Sequence, residues 1–221
     1  MPETYLRQSP LAHLHLDARA VVDPGDADLV LSERRFTGKV NLRGKAEDEG
    51  FRAAVQSALG FEVPVEANAV TGARNLDALW LGPDEWLIAT PPGEEGRVAA
   101  KLERALQGRH AAVTDVSEAR TVIRVSGPRA RDVLMKGCSL DLHLRVFGPG
   151  RCAQSAVAKA QVILHQTDEL PTFDLYVDRS FAEYLWLWLE DAAAEYKPVI
   201  MVDAAPKPPP RRKTPARPRA R

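Results

Sequence analysis

The sequence predicts an α+β domain in which an antiparallel or mixed sheet carries helices packed on it. Three observations point there. Short apolar stretches bounded by Gly, Pro, Asn or Asp read as strands, and amphipathic stretches of helical period stand between them. The connections also lack the long alternating crossovers of a doubly wound parallel sheet. With 221 residues, 45% of them hydrophobic and 27% charged, the chain is long enough to bury a real core.

Taken in order, residues 1–38 are weakly patterned and read as an N-terminal extension. It holds a Pro-Gly turn, a possible short strand at Leu29–Leu31, and a leucine alternation, LAHLHL, that places His13 and His15 on one face of a strand. The main domain is expected over 39–203, with a division near 109–120. Val40 and Leu42 alternate in KVNLRG as in an edge strand. From about Glu47 a helix follows, with Phe51, Ala54, Val55, Ala58 and Leu59 at helical spacing and Gly60 placed to end it. Leu76–Thr90 reads as a hairpin turning on Gly-Pro-Asp-Glu, whose proline suits the second turn position. A second helix runs from about Glu94 to Gln107 on Val98, Leu102 and Leu106.

Asp115 and Ser117 then form an Asx turn, and Thr121–Val125 is a mostly buried strand. Pro128 opens a short helix carrying Ala130, Val133 and Leu134, which Gly137 ends. FGPG at 147–150 is a turn. Ala156–His165 and Phe173–Val177 are strands joined by the polar loop QTDELPT. Ser180 and Glu183 spell a capping box for a last helix, whose expected apolar stripe is Phe181, Tyr184, Leu185, Trp188 and Leu189.

The equality of 30 basic and 30 acidic residues hides a segregation. PKPPPRRKTPARPRAR, at 206–221, holds seven basic residues and six prolines, leaving the rest with a net charge near −7. An acidic body argues against a nucleic-acid-binding face, and the basic tail, 204–221, is expected to be disordered. It could attach weakly to nucleic acid or dock on an acidic partner. No stretch is apolar enough for a signal peptide or a membrane span, and two cysteines make no disulfide framework, so a cytoplasmic protein with reduced thiols is expected.

Chemical motifs are sparse. Cys138, His143, Cys152 and His165 do not follow a zinc spacing, and buried single residues are the simpler reading. There is no Gly-x-Ser-x-Gly elbow and no glycine-rich phosphate loop. Ser126-Gly127-Pro128 suits helix initiation better than anion binding, because proline removes a donor. Asp168, Glu169 and Asp174 are the carboxylates that could converge for acid–base work, against a solvated-loop alternative. Residue chemistry alone gives no catalytic site and no metal site.

Four separated blocks, read together, carry a family resemblance: LGPDEWLIATPPGEE, TDVSEARTVIRVSGPRARDVLMKGCSLDLH, FGPGRCAQSAVAKAQVILHQ and PTFDLYVDRSFAEYLWLWLEDA. In this order, from about Leu42 to Tyr196, they resemble the gamma subunit of heterotetrameric sarcosine oxidase. That subunit is in turn similar to the folate-binding domain of the glycine-cleavage aminomethyltransferases. The folate enzymes carry a Gly-Glu-Asp-Gly-Phe-Glu run whose first glutamate helps hold the pterin. Here Asp168-Glu169-Leu170-Pro171-Thr172-Phe173-Asp174 lacks its glycines, leaving Glu169 and Asp174 as weak folate remnants.

The resemblance implies a non-catalytic subunit of a complex that oxidatively demethylates sarcosine to glycine with formation of hydrogen peroxide and methylenetetrahydrofolate. FAD, FMN, NAD, tetrahydrofolate and zinc would then belong to the alpha, beta and delta subunits. The alternative is a free-standing folate-binding module of aminomethyltransferase type. As candidate interface residues the sequence offers Trp186, which lies off the expected stripe, and Arg120, Arg129 and Arg131. A helix apolar all round between two layers is the competing reading for Trp186. Local pairing is the competing reading for the arginines.

Overall fold

A computed structural model of the chain describes residues 7–202; the basic tail expected at 204–221 lies outside them. The strands are β1 (Val30–Glu33), β2 (Gly38–Gly44), β3 (Val70–Ala73), β4 (Leu76–Gly82), β5 (Glu85–Thr90), β6 (Ala111–Asp115), β7 (Arg120–Ser126), β8 (Arg151–Val157), β9 (Ala160–Asp168), β10 (Thr172–Asp178) and β11 (Val199–Val202). The helices are α1 (Leu16–Arg19), α2 (Glu49–Leu59), α3 (Glu95–Ala105), α4 (Ala130–Met135) and α5 (Ala182–Ala193). One sheet has the strand order β11-β1-β7-β10-β9-β8, the other β3-β4-β5-β2-β6. All pairings are antiparallel except β1 with β11, which is parallel. The expected α+β class is thus the architecture found.

Alternation along the strands decides the layering. Val40, Leu42, Ala78, Trp86 and Ile88 pack against Phe51, Val55 and Leu59 of α2 and Val98 and Leu102 of α3. On the six-stranded sheet, Ile123, Val125, Leu164, Phe173, Leu175 and Val177 pack against Val133 and Leu134 of α4 and Leu185, Trp186 and Leu189 of α5. The two remaining faces meet each other through Leu79, Leu87 and Ala89 on one sheet and Val122, Cys152, Ile163 and Tyr176 on the other. The result is four layers, helix–sheet–sheet–helix, in which each sheet has both faces covered.

Several elements are where the local chemistry puts them. The Asp48 side chain caps α2 by accepting from the Phe51 N–H, and Gly60 ends it in the left-handed region. Gly82 pairs with Glu85 around Pro83 and Asp84, as the hairpin signal requires. The Ser117 N–H donates to Asp115 Oδ1 at 2.9 Å, closing the expected Asx turn.

Other expectations change. Residues 7–38 are part of the fold rather than an appendage: Leu11, Leu16 and Leu29 are buried in the core and β1 lies inside the six-stranded sheet. LAHLHL is a helical turn, Ala12–Leu14 running into α1, because Leu11 and Leu16 are the side chains that reach the core. The strand placed at Ala156–His165 is instead a hairpin, β8 and β9, turning at Ala158-Lys159. Its turn lacks the usual glycine or asparagine, and tertiary contact supports it: the Ala158 N–H donates to the Gly137 carbonyl. Ser180 does not cap α5; it lies in a 3₁₀ turn, Arg179–Phe181, and Phe181 occupies the cap position without a side-chain bond. The buried stripe of α5 is Ala182, Leu185, Trp186, Leu189 and Ala193, rotated from the one expected. β3, β6 and β11 gave no readable signal.

Gly127 is the position where backbone freedom decides the local path. Its φ is +108°, and a Cβ there would stand 2.5 Å from the Asp28 carbonyl oxygen. Replacement Gly127→Ala is expected to destabilise the protein by about 2 kcal/mol or more, through backbone strain and that clash together. Urea unfolding followed by circular dichroism measures it, and an unchanged midpoint would refute the assignment.

Candidate functional site

The richest polar chemistry lies in the sheet–sheet interface. β10 is buried on both faces: Phe173, Leu175 and Val177 point to the helices, Asp174 and Tyr176 to the second sheet. The cross-strand register sets Ser32, Arg124, Asp174, His165 and Cys152 in one row across five strands. Asp174 is 0% exposed. Its carboxylate receives Arg124 Nε at 2.7 Å on one oxygen, and Arg124 Nη2 at 3.0 Å and Arg34 Nη1 at 2.6 Å on the other. Burial alone would raise this carboxyl, but the hydrogen bonds and charges of the two guanidinium groups hold it below the usual carboxylate range.

His165 stands beside it across β9–β10. Burial lowers its pKa, with Arg34 and Arg124 acting in the same sense and Asp174 and Asp77 opposing. Its Nδ1 has no hydrogen-bond partner among the described residues. Next along the row, Cys152 Sγ points at the carbonyl oxygens of Trp80 (3.4 Å) and Ala69 (3.6 Å), and burial pushes its thiol up to about 12. Such a thiol stays protonated and is a poor nucleophile.

A second polar cluster lies at the end of the sheets. Glu33 accepts from Ser9 Oγ at 2.6 Å and Thr121 Oγ1 at 2.8 Å, while Lys39 Nζ donates to the Thr37 carbonyl at 2.5 Å. Arg7 pairs with Glu95 and Glu118, and Arg179 with Glu118. Burial, with the Arg7 charge, lowers Lys39 to about 8, against the pull of Glu118, Glu95 and Asp115. The space between these side chains, about 10 Å³, admits no more than a water molecule.

The two candidate folate remnants do not converge. Glu169 is exposed at the β9–β10 turn, whereas Asp174 is sealed inside β10. These two residues therefore do not fit a pterin, since the buried one of the pair is already occupied by two arginines. Nor do the cysteines and histidines gather. Cys152 and His165 are cross-strand neighbours, but Cys138 lies 4.0 Å from Ser155 Oγ and His143 accepts the Arg145 N–H in an exposed turn.

The candidate interface residues divide. Trp186 is 0% exposed, buried in this chain's own core, so it offers no surface to a partner; α5 turns it inward because the helix covers the sheet with the adjacent stripe. Arg131 is an internal strut: Nε donates to the Leu142 carbonyl at 2.7 Å, Nη2 to Gln166 Oε1 at 2.8 Å, and the guanidinium lies over the Phe173 ring. Arg120 pairs with its cross-strand neighbour Asp178, and Arg129 with Asp132, each at 2.9 Å. Arg34, Arg124 and His165 were missed as a unit. Their available signal was a pair of opposite charges, Arg124 and Asp174, each flanked by apolar residues within its strand.

Comparison with known proteins fits this geometry. The family model described as "Sarcosine oxidase, gamma subunit family" matches residues 43–195. A sarcosine oxidase subunit gamma from Arthrobacter sp. is 38% identical over 195 residues, 87% of this chain and 93% of the relative. A chain of the heterotetrameric sarcosine oxidase from Corynebacterium sp. U-96, solved with pyrrole 2-carboxylate, superposes with a TM-score of 0.77 at 35% identity, covering 86% of this chain and 96% of that one. The glycine cleavage system aminomethyltransferase T from Bartonella henselae shares the fold, with a TM-score of 0.62 at 17% identity over 89% of this chain and 59% of its own.

Two predictions follow from the buried row. Replacement Asp174→Asn leaves two guanidinium groups facing a neutral amide and should cost about 3–5 kcal/mol of stability in urea unfolding; a loss below 1 kcal/mol would contradict the ion cluster. For pH, both depressed groups act in one direction. His165 resists protonation only when folded, so its contribution is present above its unfolded pKa near 6.5 and is lost as pH falls below it. Asp174 adds a further loss at lower pH, below the ordinary carboxylate value. His165→Gln should therefore flatten the decline in stability between about pH 7 and 5, measured by urea midpoints across that range.

Proposed function

The chain belongs to the sarcosine oxidase gamma subunit family, and we propose that it serves as the non-catalytic gamma subunit of a heterotetrameric sarcosine oxidase. In this reading it supports assembly of the flavin-containing complex that oxidatively demethylates sarcosine to glycine, with hydrogen peroxide and methylenetetrahydrofolate formed. FAD, FMN, NAD, tetrahydrofolate and zinc are assigned to the alpha, beta and delta subunits, and the complex to the cytoplasm.

The observation that carries the reading is the sealing of Asp174. General acid–base work needs a carboxyl with a pKa near the working pH and within reach of a substrate. Asp174 is instead held ionised, out of solvent and bonded to Arg124 and Arg34. The other unusual side chains are equally committed: the Cys152 thiol is raised, and Lys39 faces a space the size of one water. Side chains bound to each other in this way stiffen a scaffold and leave chemistry to other subunits. Glu169 in an exposed turn gives the alternative of a free-standing folate module no support.

Co-expression with the larger oxidase subunits of the same source tests the proposal. The chain is expected to elute with the visible flavin absorbance, and alone to show no saturable binding of tetrahydrofolate in the micromolar range. A flavoprotein peak free of the chain, or clear folate binding by the isolated chain, would overturn it.

A further inference from the structure

The two helical layers are built alike but finished differently. Over the five-stranded sheet, the exposed positions of α2 and α3 are small or polar: Ala53, Gln56, Ser57, Lys101, Glu103 and Arg104. No large apolar side chain of α2 or α3 is exposed. Over the six-stranded sheet, α5 exposes Tyr184 (36%) and Leu187 (47%), its cap residue Phe181 is exposed as well (44%), and neighbouring α4 adds Met135 (53%). Phe181, Tyr184 and Leu187 recur every three residues and so form one ridge. The Phe181 and Tyr184 rings meet edge-on, with centroids 6.4 Å apart.

Most charged groups bordering this ridge are matched within the chain; Asp191, four residues after Leu187, is exposed without a direct partner among the described residues. His13 lies 3.1 Å from Glu183, Arg129 pairs with Asp132, and Arg19–Glu190 and Lys136–Glu195 make direct contacts. Little net charge is left to complement, so the fitting surface is uncharged and apolar. Size narrows the choice further. Four side chains at about 40–50% exposure present roughly 300 Å². A second copy seated on the same ridge would bury roughly 600 Å² in total, well short of the ~1,200–2,000 Å² of a stable pair. A larger partner touching the chain elsewhere as well has no such shortfall.

We infer that the α5 ridge, Phe181–Tyr184–Leu187 with Met135, is the apolar anchor by which this chain docks on an uncharged surface of a larger oxidase subunit. The inference rests on the subunit assignment made above. In a dry contact these side chains act as the buried centre of the interface, while the surrounding ion pairs stay wet at its rim. Attachment there is insensitive to salt, because no ion pair crosses it.

The test co-expresses the full-length chain with the other oxidase subunits and measures its share in the flavin-containing peak at low and high salt. Compared are the parent chain, Phe181→Ser/Leu187→Ser, Leu187→Glu alone, and a control, Gln56→Glu/Lys101→Glu, on the opposite layer. Circular dichroism and thermal melting of each isolated chain confirm folding. The ridge variants should lose about tenfold or more of their association, the control should keep it, and the parent should be retained at high salt. Retention of both ridge variants overturns the docking site while leaving the subunit assignment standing. Loss of the parent on raising salt also overturns it, as does a self-associating parent that the ridge variants render monomeric. Absence of the parent itself from the peak defeats the subunit assignment instead.

Discussion

A carboxylate with no access to water is the point on which the arrangement of the strands turns. Asp174 sits in the middle of β10, between two sheets, where an unpaired charge would be prohibitive. Its compensation comes from two arginines, Arg124 and Arg34. Arg124 faces it across β7, His165 faces it across β9, and Arg34 reaches in from the segment following β1. A one-residue slip of either neighbouring strand would turn Arg124 or His165 to the helical face and bring apolar side chains opposite the charge. The ion cluster therefore fixes register as much as it adds stability.

The same cluster links the sheets to the chain path. Arg34 lies between β1 of one sheet and β2 of the other, so its bond to Asp174 holds the crossing point. The N-terminal segment closes the far end of that junction: Ser9 bonds Glu33, and Arg7 bonds Glu95 and Glu118. Between these two polar ends the sheets meet through Leu79, Leu87, Val122 and Tyr176. An apolar centre with polar ends is the usual solution when a sheet interface has to be both dry and unique in alignment. It also explains how a scaffold related in fold to the aminomethyltransferases can persist when its polar groups are tied to each other.

The subunit reading and the surface agree on a physical ground. The chain holds its buried charged side chains Asp174, Glu33 and Lys39 in internal contacts. Its distinguishing outward feature is then the apolar finish of one helical layer. The burial of Trp186 sharpens this, because the tryptophan that looked available for a partner completes the core, and the aromatic residues beside it, Phe181 and Tyr184, take the outer positions.

The sequence by itself determined the elements whose signals are local. Asp48 and Gly60 bound α2, Pro83 turns the β4–β5 hairpin, Asp115 folds onto the Ser117 amide, and the α+β class follows from strands and helices that interleave without long crossovers. Four sequence blocks in order were also enough to carry the family resemblance. Only the tertiary structure decided the rest, because the deciding partners are distant in the chain. β11 is a strand because β1 offers it an edge, the Ala158 turn holds because Gly137 accepts its N–H, and Leu11 becomes core because the first sheet lies under it. The rotation of α5, which buries Trp186 and exposes Tyr184, was set by the shape of the sheet beneath. In a helix apolar on nearly every side, hydrophobic period alone does not choose a face.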